Sequence, residues 1–121
     1  REALVGERRR SLLESRDALV AALREHLPDW EFRTPRGGVT LWARMPDPVS
    51  SAVVLAAERH GLLLASGGQF GVEQDLRHYL RLPYTAPAEV LREGVTRLAL
   101  SYDEATADPT RVRERAASFI A

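Results

Sequence analysis

The stretch HYLRLPYTAP, residues 78–87, has the alternation of a β-strand and places an arginine between two leucines. In a strand, successive side chains point to opposite faces of the sheet. The stretch therefore has two faces, with Tyr79, Arg81 and Pro83 on one and Leu80, Leu82 and Tyr84 on the other. We expect the leucine face to pack against helices. Arg81 should then project from the opposite face at a strand end, near the glycine-rich loop at residues 67–71.

Arg81 needs a physical explanation, because a guanidinium is always charged and is costly to bury without an anionic partner. Its planar fork matches a carboxylate through two parallel hydrogen bonds. A carboxylate ligand is therefore one interpretation of Arg81. An internal salt bridge and an edge arginine in water are the alternatives, and the spacing alone leaves all three open.

Two further strands are predicted upstream, at residues 30–32 and 39–45, on either side of the turn PRGG at 35–38. Both alternate between apolar and polar side chains, which is the period of a half-buried strand. Gly37 and Gly38 can supply a positive φ at the turn. A hairpin or two adjacent strands follow from this pattern.

The predicted helices show helical apolar periodicity and span residues 2–27, 47–60, 86–105 and 109–119. The second has recognisable ends: Asp47 suits the N-cap, Pro48 the first helical position and Gly61 the C-terminal stop. The third has an apolar stripe that comprises Val90, Leu91, Val95, Leu98 and Tyr102.

With the apolar stretch LLLAS at residues 62–66 as another strand, the predicted order is α-β-β-α-β-β-α-α. Helices that alternate with short strands indicate an α/β (α+β) fold. We expect a small mixed or antiparallel sheet of about four strands packed with helices. Residues 1–102 are expected to form one domain, and residues 103–121 a C-terminal helical tail.

The amino-acid composition of the chain disfavours or excludes several kinds of partner and chemistry. The 121 residues carry 17 basic and 17 acidic side chains, a balance that does not favour general binding to nucleic acid or anionic membranes. There is no cysteine, which excludes disulfides and thiolate metal sites, and a cytoplasmic location is the expectation. All 17 basic residues are arginine, so no lysine of this chain can form a Schiff base. A helical pattern at the very start of the chain, without a methionine, leads us to expect a piece of a longer protein, or a processed or engineered chain.

Few other side chains suit catalysis or metal binding. His26, His60 and His78 have no spacing typical of a metal site, and none is predicted. No serine stands in a G-x-S-x-G elbow. Glu73 and Asp75 are interpreted as exposed loop charges. No catalytic residue is therefore predicted in this chain.

Three stretches in succession carry a family resemblance: PRGGVTLW at 35–42, HGLLLASGGQFG at 60–71 and YLRLPY at 79–84. Together they resemble the C-terminal small domain of fold-type I, pyridoxal-phosphate-dependent aminotransferases, over roughly residues 1–102. The sequence LRLPYTAP, followed by VLREGVTRLA, most resembles the aminotransferase-like domain of MocR-type regulators of the GntR family. Those regulators join an N-terminal winged-helix DNA-binding domain to an aminotransferase-fold effector domain.

The resemblance implies roles for a few residues. Arg81 has the position of the arginine that binds the α-carboxylate of the amino-acid substrate or effector. The family's P-G-x-x-F loop near the mouth of the active site corresponds here to Ser66, Gly67, Gly68, Gln69 and Phe70. Ser66 replaces the proline of that pattern, which puts the path of the loop in question.

The resemblance also implies pyridoxal phosphate (PLP) as the cofactor of the full-length protein, held mainly by a large domain that carries the Schiff-base lysine. The absence of lysine from this chain fits that division. We expect the chain alone to hold no cofactor and to be inactive. The full-length protein is expected to be an aminotransferase-like homodimer that binds an amino acid, and to contact DNA only through the winged-helix domain.

Two alternatives stay open. The chain could be the small domain of a free-standing class I or II aminotransferase, or a stand-alone α/β binding module without PLP chemistry. An upstream large domain with a lysine motif would exclude the second alternative, and a winged helix further upstream would select the regulator.

Overall fold

The computed structural model of the protein describes residues 2–33, 38–66 and 77–106, without the side chains of residues 2–5, 65 and 66. The elements are α1 (Glu2–His26), β1 (Glu31–Phe32), β2 (Thr40–Arg44), α2 (Ser50–Arg59), β3 (Ala65–Ser66), β4 (Tyr79–Pro83) and α3 (Ala88–Ala105). This succession confirms the predicted order up to the third helix, and the predicted helix at 109–119 lies outside the described residues. No helix in the described ranges combines the length and apolarity needed to cross a membrane.

The four strands form one antiparallel sheet in the order β1-β2-β4-β3. The central strands β2 and β4 have five residues each and pair along their whole length. The edge strands β1 and β3 have two residues each. The prediction of a small sheet of about four strands is confirmed, in its antiparallel form.

Gly38 lies two residues before β2, and its φ of 84° is in the left-handed region that favours glycine. The positive φ predicted there is confirmed, and Gly37 lies outside the described residues. The Tyr84 hydroxyl donates a hydrogen bond to the Gly38 carbonyl at 2.9 Å, and the Tyr84 N–H donates to the Val39 carbonyl at 2.9 Å. These two bonds fix the start of β2 against the end of β4.

The inner face of the sheet forms the core together with α1 and α3. The inner residues of the two central strands are at most 4% exposed: Leu41, Ala43, Leu80 and Leu82. The helices contribute Leu19, Leu23, Val95 and Leu98 to the same cluster. The leucine face of residues 78–84 is therefore the buried face, as predicted.

One residue of the predicted α3 stripe, Val90, is exposed, and Leu91 is partly buried. Val90 is 57% exposed, so the prediction is wrong at that position. It lines an apolar groove together with Leu62 and Leu63, at the beginning of α3. The periodicity of a helix gives the direction of its apolar face, but it cannot give how far the neighbouring elements extend along that face.

The helix α2 begins at Ser50, three residues after the predicted N-cap. Val49 is the capping residue and makes no side-chain cap hydrogen bond. Asp47 instead accepts a hydrogen bond through Oδ2 from the Tyr102 hydroxyl, at 2.6 Å. The N-cap prediction is wrong because a residue of α3 engages this carboxylate, and Pro48 lies before the helix rather than at its first position.

The C-terminal end of α2 follows the prediction. Gly61 has a φ of 79°, its N–H donates to the Glu58 carbonyl, and the next N–H donates to the Ala57 carbonyl. This pair of bonds is a Schellman motif, which favours glycine at the left-handed position. Arg97 of α3 donates from Nη1 to the His60 carbonyl at 2.9 Å. The end of α2 is therefore tied directly to α3.

Candidate functional site

Arg81 lies at the middle of β4, not at its end as expected, between Leu80 and Leu82. Its Cα partners are Trp42 on β2 and Ala65 on β3, so strands flank it on both sides. The residue is partly exposed, whereas its Nε atom is buried. Arg81 is thus on the face opposite the core, as predicted, with part of its side chain held within the sheet. Its ligand stays a prediction.

The outer face of the sheet is built from alternate residues of the two central strands: Thr40, Trp42 and Arg44 of β2, and Tyr79, Arg81 and Pro83 of β4. All six are partly or fully exposed, whereas the residues between them on β2 and β4 are buried. The sheet thus has one face that stabilises the fold and one face that presents aromatic and charged groups.

Two aromatic rings stand on this outer face. The ring centroids of Trp42 and Tyr79 are 6.2 Å apart and their planes meet at 71°, an edge-to-face arrangement. Trp42 remains 42% exposed. The rings border a groove of about 530 Å³ that is lined by Glu31, Phe32, Arg33, Thr40, Trp42, Arg44 and Tyr79. Its walls are therefore partly aromatic, and Arg81 is the cross-strand neighbour of one of them.

The charges on this face are arranged by the strand register. Arg44 has Glu31 as its partner on β1 and Tyr79 as its partner on β4. Opposite charges at directly paired positions of neighbouring strands attract each other. The partners of Arg81 on its two flanking strands, Trp42 and Ala65, are both uncharged.

The other predicted site residues cannot be placed. Gly67, Gly68 and Phe70 lie outside the described residues. The described chain before them ends at Ser66, whose Cα partner is Leu80.

Trp42 and Tyr79 were not among the functional residues predicted from the sequence. The signal was present, because both occupy the same phase of the alternation as the arginines at 44 and 81. What was missing was the register, which pairs Trp42 with Arg81 across two strands that are about 40 residues apart in the chain.

A second polar cluster joins α2 to α3. His60 Nε2 lies 2.8 Å from Glu104 Oε1, and Arg59 Nη2 donates to Glu104 Oε2 at 3.3 Å. These bonds, together with that from Arg97 to the His60 carbonyl, connect two packed helices. We assign this cluster to helix packing rather than to ligand binding.

Comparison with known proteins places this geometry in a family. The family described as aminotransferase class I and II matches residues 2–98. Among curated relatives, aromatic-amino-acid aminotransferase 1 of Thermococcus litoralis is 35% identical over 92 residues. That alignment covers 74% of this chain and 22% of the relative, so the chain spans less than a quarter of that protein's length.

Solved structures agree with this relationship. The α-aminoadipate aminotransferase of Thermus thermophilus, complexed with N-(5'-phosphopyridoxyl)-L-leucine, superposes with a TM-score of 0.73 and 26% identity, over 82% of this chain and 26% of that one. The kynurenine aminotransferase of Pyrococcus horikoshii superposes with a TM-score of 0.75 and 29% identity. That superposition covers 85% of this chain and 26% of the other one. The fold, the residue range that the family matches and the sequence identity all support one conclusion. The chain belongs to the aminotransferase class I and II family.

Proposed function

We propose that this chain is the small domain of a longer PLP-dependent protein, and that Arg81 binds the α-carboxylate of its amino acid. The observation that carries the proposal is the position of Arg81: on the outer face, at the centre of the sheet, flanked by strands on both sides. A carboxylate-binding group must be charged, oriented and within reach of the ligand. A guanidinium supplies the charge and a planar pair of donors, and the sheet supplies the orientation.

The energetics favour Arg81 as a rigid carboxylate-binding side chain, which we call the carboxylate clamp. Arg81 is partly exposed but its Nε is buried, so the sheet already restricts part of the side chain. A side chain that is ordered before binding loses less conformational entropy when the ligand arrives. Charged hydrogen bonds at a partly buried site are also less screened than those at an open surface.

The cofactor itself does not fit the residues of this chain. PLP acts as an electron sink for reactions at the α-carbon of an amino acid, and in such proteins a lysine amine holds it. These 121 residues contain no lysine. The groups that hold PLP are therefore proposed to lie in a large domain outside this chain, to which this chain would contribute the carboxylate clamp. The small domain would close over the ligand, position it and exclude water.

As to the kind of protein, we propose the effector domain of a MocR-type regulator of the GntR family. The support is the sequence LRLPYTAP, which includes the clamp strand, and the helix VLREGVTRLA that follows. In this proposal the full-length protein is a cytoplasmic homodimer, and an amino acid changes its closure. DNA binds to a winged-helix domain outside this chain, and ligand-dependent closure shifts the population of the DNA-binding form.

A free-standing aminotransferase is the second candidate. It is favoured by the names of the curated relatives, an aromatic-amino-acid aminotransferase and an LL-diaminopimelate aminotransferase. Two measurements on the full-length protein separate the candidates. A regulator shifts the mobility of DNA from its own promoter in an amino-acid-dependent way. A free-standing enzyme does not bind that DNA, and it converts an amino acid and a 2-oxo acid with many turnovers.

The clamp is tested by substitution in the full-length, cofactor-loaded protein. We expect Arg81→Ala to weaken amino-acid binding by ~2–4 kcal/mol in titration calorimetry, the scale for losing a charged hydrogen-bonding partner. Arg92→Ala is the matched control, because Arg92 is an exposed arginine on α3. Unchanged affinity in Arg81→Ala would show that Arg81 has only a structural role.

A further inference from the structure

Trp42 is in an unusual position for a large aromatic side chain. It lies on the central strand β2, yet it points away from the core and is 42% exposed. The described aromatic residues of the core, Trp30, Tyr84 and Tyr102, are at most 4% exposed. An indole carries a large apolar area, so leaving nearly half of it accessible gives up stabilisation that burial would provide. A ligand or another surface would recover that stabilisation.

The neighbours of Trp42 favour a small ligand. Tyr79 meets it edge to face at 6.2 Å, and the two rings border a groove of about 530 Å³. Small-molecule sites measure roughly 300–1,000 Å³ and combine apolar or aromatic walls with a few polar groups. The groove has that character, since its lining combines the two rings with Glu31, Phe32, Arg33, Thr40 and Arg44.

The strand register places this groove next to the carboxylate clamp. Trp42 is the direct partner of Arg81, and directly opposed side chains in antiparallel strands have Cβ atoms roughly 4.5–5.5 Å apart. Tyr79 lies two residues before Arg81 on the same face, about 7 Å away along the strand. An amino acid whose carboxylate is held at Arg81 therefore has both rings within reach of its side chain.

We propose that Trp42 and Tyr79 form a side-chain subsite beside Arg81, and that the preferred amino acid carries an aromatic side chain. The inference rests on the proposed function of Arg81. Two rings that meet edge to face leave an aromatic surface on which a third ring can pack, at centroid distances of roughly 4.5–7 Å.

The test uses two amino acids that lack an α-hydrogen and so cannot be transaminated: α-methyl-L-phenylalanine and 2-aminoisobutyrate. Both present the same α-amino and α-carboxylate groups, and they differ in the phenyl ring. Dissociation constants are measured by titration calorimetry on the full-length protein loaded with PLP. We expect the wild type to bind α-methyl-L-phenylalanine at least about tenfold more tightly, the scale of one aromatic contact.

The subsite variants are Trp42→Leu and Tyr79→Leu. Each should reduce the preference for the aromatic ligand to below about threefold, while 2-aminoisobutyrate binds within about twofold of wild type. Trp42→Phe should retain an intermediate preference, because it keeps a ring. Leu55→Ala is the control, since Leu55 is an apolar residue of α2 that is 61% exposed and lies outside the groove. It should leave both constants unchanged. Thermal unfolding of each variant identifies any loss of the fold.

The Arg81→Gln variant separates this inference from the function on which it rests. If Arg81→Gln weakens both ligands and Trp42→Leu abolishes only the aromatic preference, the subsite is supported. If Arg81→Gln weakens both ligands but Trp42→Leu keeps the preference, or weakens both ligands equally, the subsite is overturned and the clamp stands. If Arg81→Gln changes neither ligand, the clamp itself fails and the subsite with it.

Discussion

The hydrogen bond between Tyr102 and Asp47 is the sharpest test of how this fold is held together. The Tyr102 hydroxyl donates to Asp47 Oδ2 at 2.6 Å and thereby joins α3 to the segment before α2, 55 residues away. Tyr102 is 4% exposed, and its ring meets Trp30 edge to face at a centroid distance of 5.2 Å. Tyr102→Phe removes the hydroxyl and keeps the ring contact, so the substitution isolates the bond.

The expected cost follows from the chemistry of the acceptor. Hydrogen bonds to charged groups contribute about 1.5–3 kcal/mol to stability, roughly twice as much as bonds between neutral groups. Asp47 is partly exposed, so water can replace part of the lost interaction in the variant. We therefore expect Tyr102→Phe to lower the free energy of unfolding by about 1.5–2 kcal/mol, the lower part of that range.

A second tyrosine offers a matched comparison. Tyr84 is 3% exposed, and its hydroxyl also donates to an oxygen of a distant segment, the carbonyl of Gly38 at 2.9 Å. That acceptor is neutral, so Tyr84→Phe should cost about 0.5–1.5 kcal/mol. The two variants lose the same atom at similar burial, and they differ in the charge of the acceptor.

The assay is urea unfolding of the 121-residue chain, followed by circular dichroism and by tryptophan fluorescence, whose coincidence establishes a two-state transition. A double-mutant cycle with Asp47→Ala isolates the pair. We expect a coupling energy of about 1.5 kcal/mol. If Asp47 acted as the N-cap of α2, Asp47→Ala would cost about 1 kcal/mol in either background. A coupling energy near zero would therefore refute the stabilising role of this hydrogen bond.

Three further predictions concern backbone conformation and core packing, and the same unfolding assay measures all of them. Gly61→Ala should destabilise by about 1–2 kcal/mol, because φ is 79° and the new Cβ would lie 2.7 Å from Arg97 Nη1. Gly94→Ala should stabilise by up to about 1 kcal/mol, because Gly94 is within α3 and its new Cβ meets no atom closer than 3.8 Å; destabilisation there would contradict the helix geometry. Leu23→Ala should cost about 3–5 kcal/mol at a fully buried site, whereas Leu55→Ala at a 61% exposed site should stay within about 0.5 kcal/mol; equal costs would refute the assignment of the core.

Local sequence was sufficient to predict the succession of helices and strands, because periodicity and glycine conformation act over a few residues. The end of α2 at Gly61 is an example, since a Schellman motif depends on neighbouring backbone groups alone. The predicted start of α2 was wrong because it depends on a contact with a residue far away in the chain. Asp47 is a good capping residue in isolation, but its carboxylate bonds to Tyr102, and no local rule contains that residue.

In the candidate site, too, some features follow from local sequence and others depend on contacts between distant residues. The alternation of residues 78–84 was enough to place Arg81 opposite the leucines, and its burial pattern agrees. The pairing of Arg81 with Trp42 was not predictable, because it depends on the strand order β1-β2-β4-β3 and on a register set by contacts far apart in the chain. The aromatic wall beside Arg81 therefore appears only in the folded sheet.

The position of Arg81 is a consequence of the core. Leu80 is fully buried and Arg81, the next residue, is on the outer face, so a slip of one residue in β4 would bury the guanidinium and expose the leucines. That exchange would lose the burial of the leucine side chains, at roughly 1.5–3 kcal/mol each, and would place a charge in the core. The register is also fixed at both ends of β4, by the bond from the Met45 N–H to the His78 carbonyl at 2.7 Å and by the Tyr84 hydroxyl bond. The same leucines that stabilise the fold therefore hold Arg81 on the outer face of the sheet, and no loop is needed to position it.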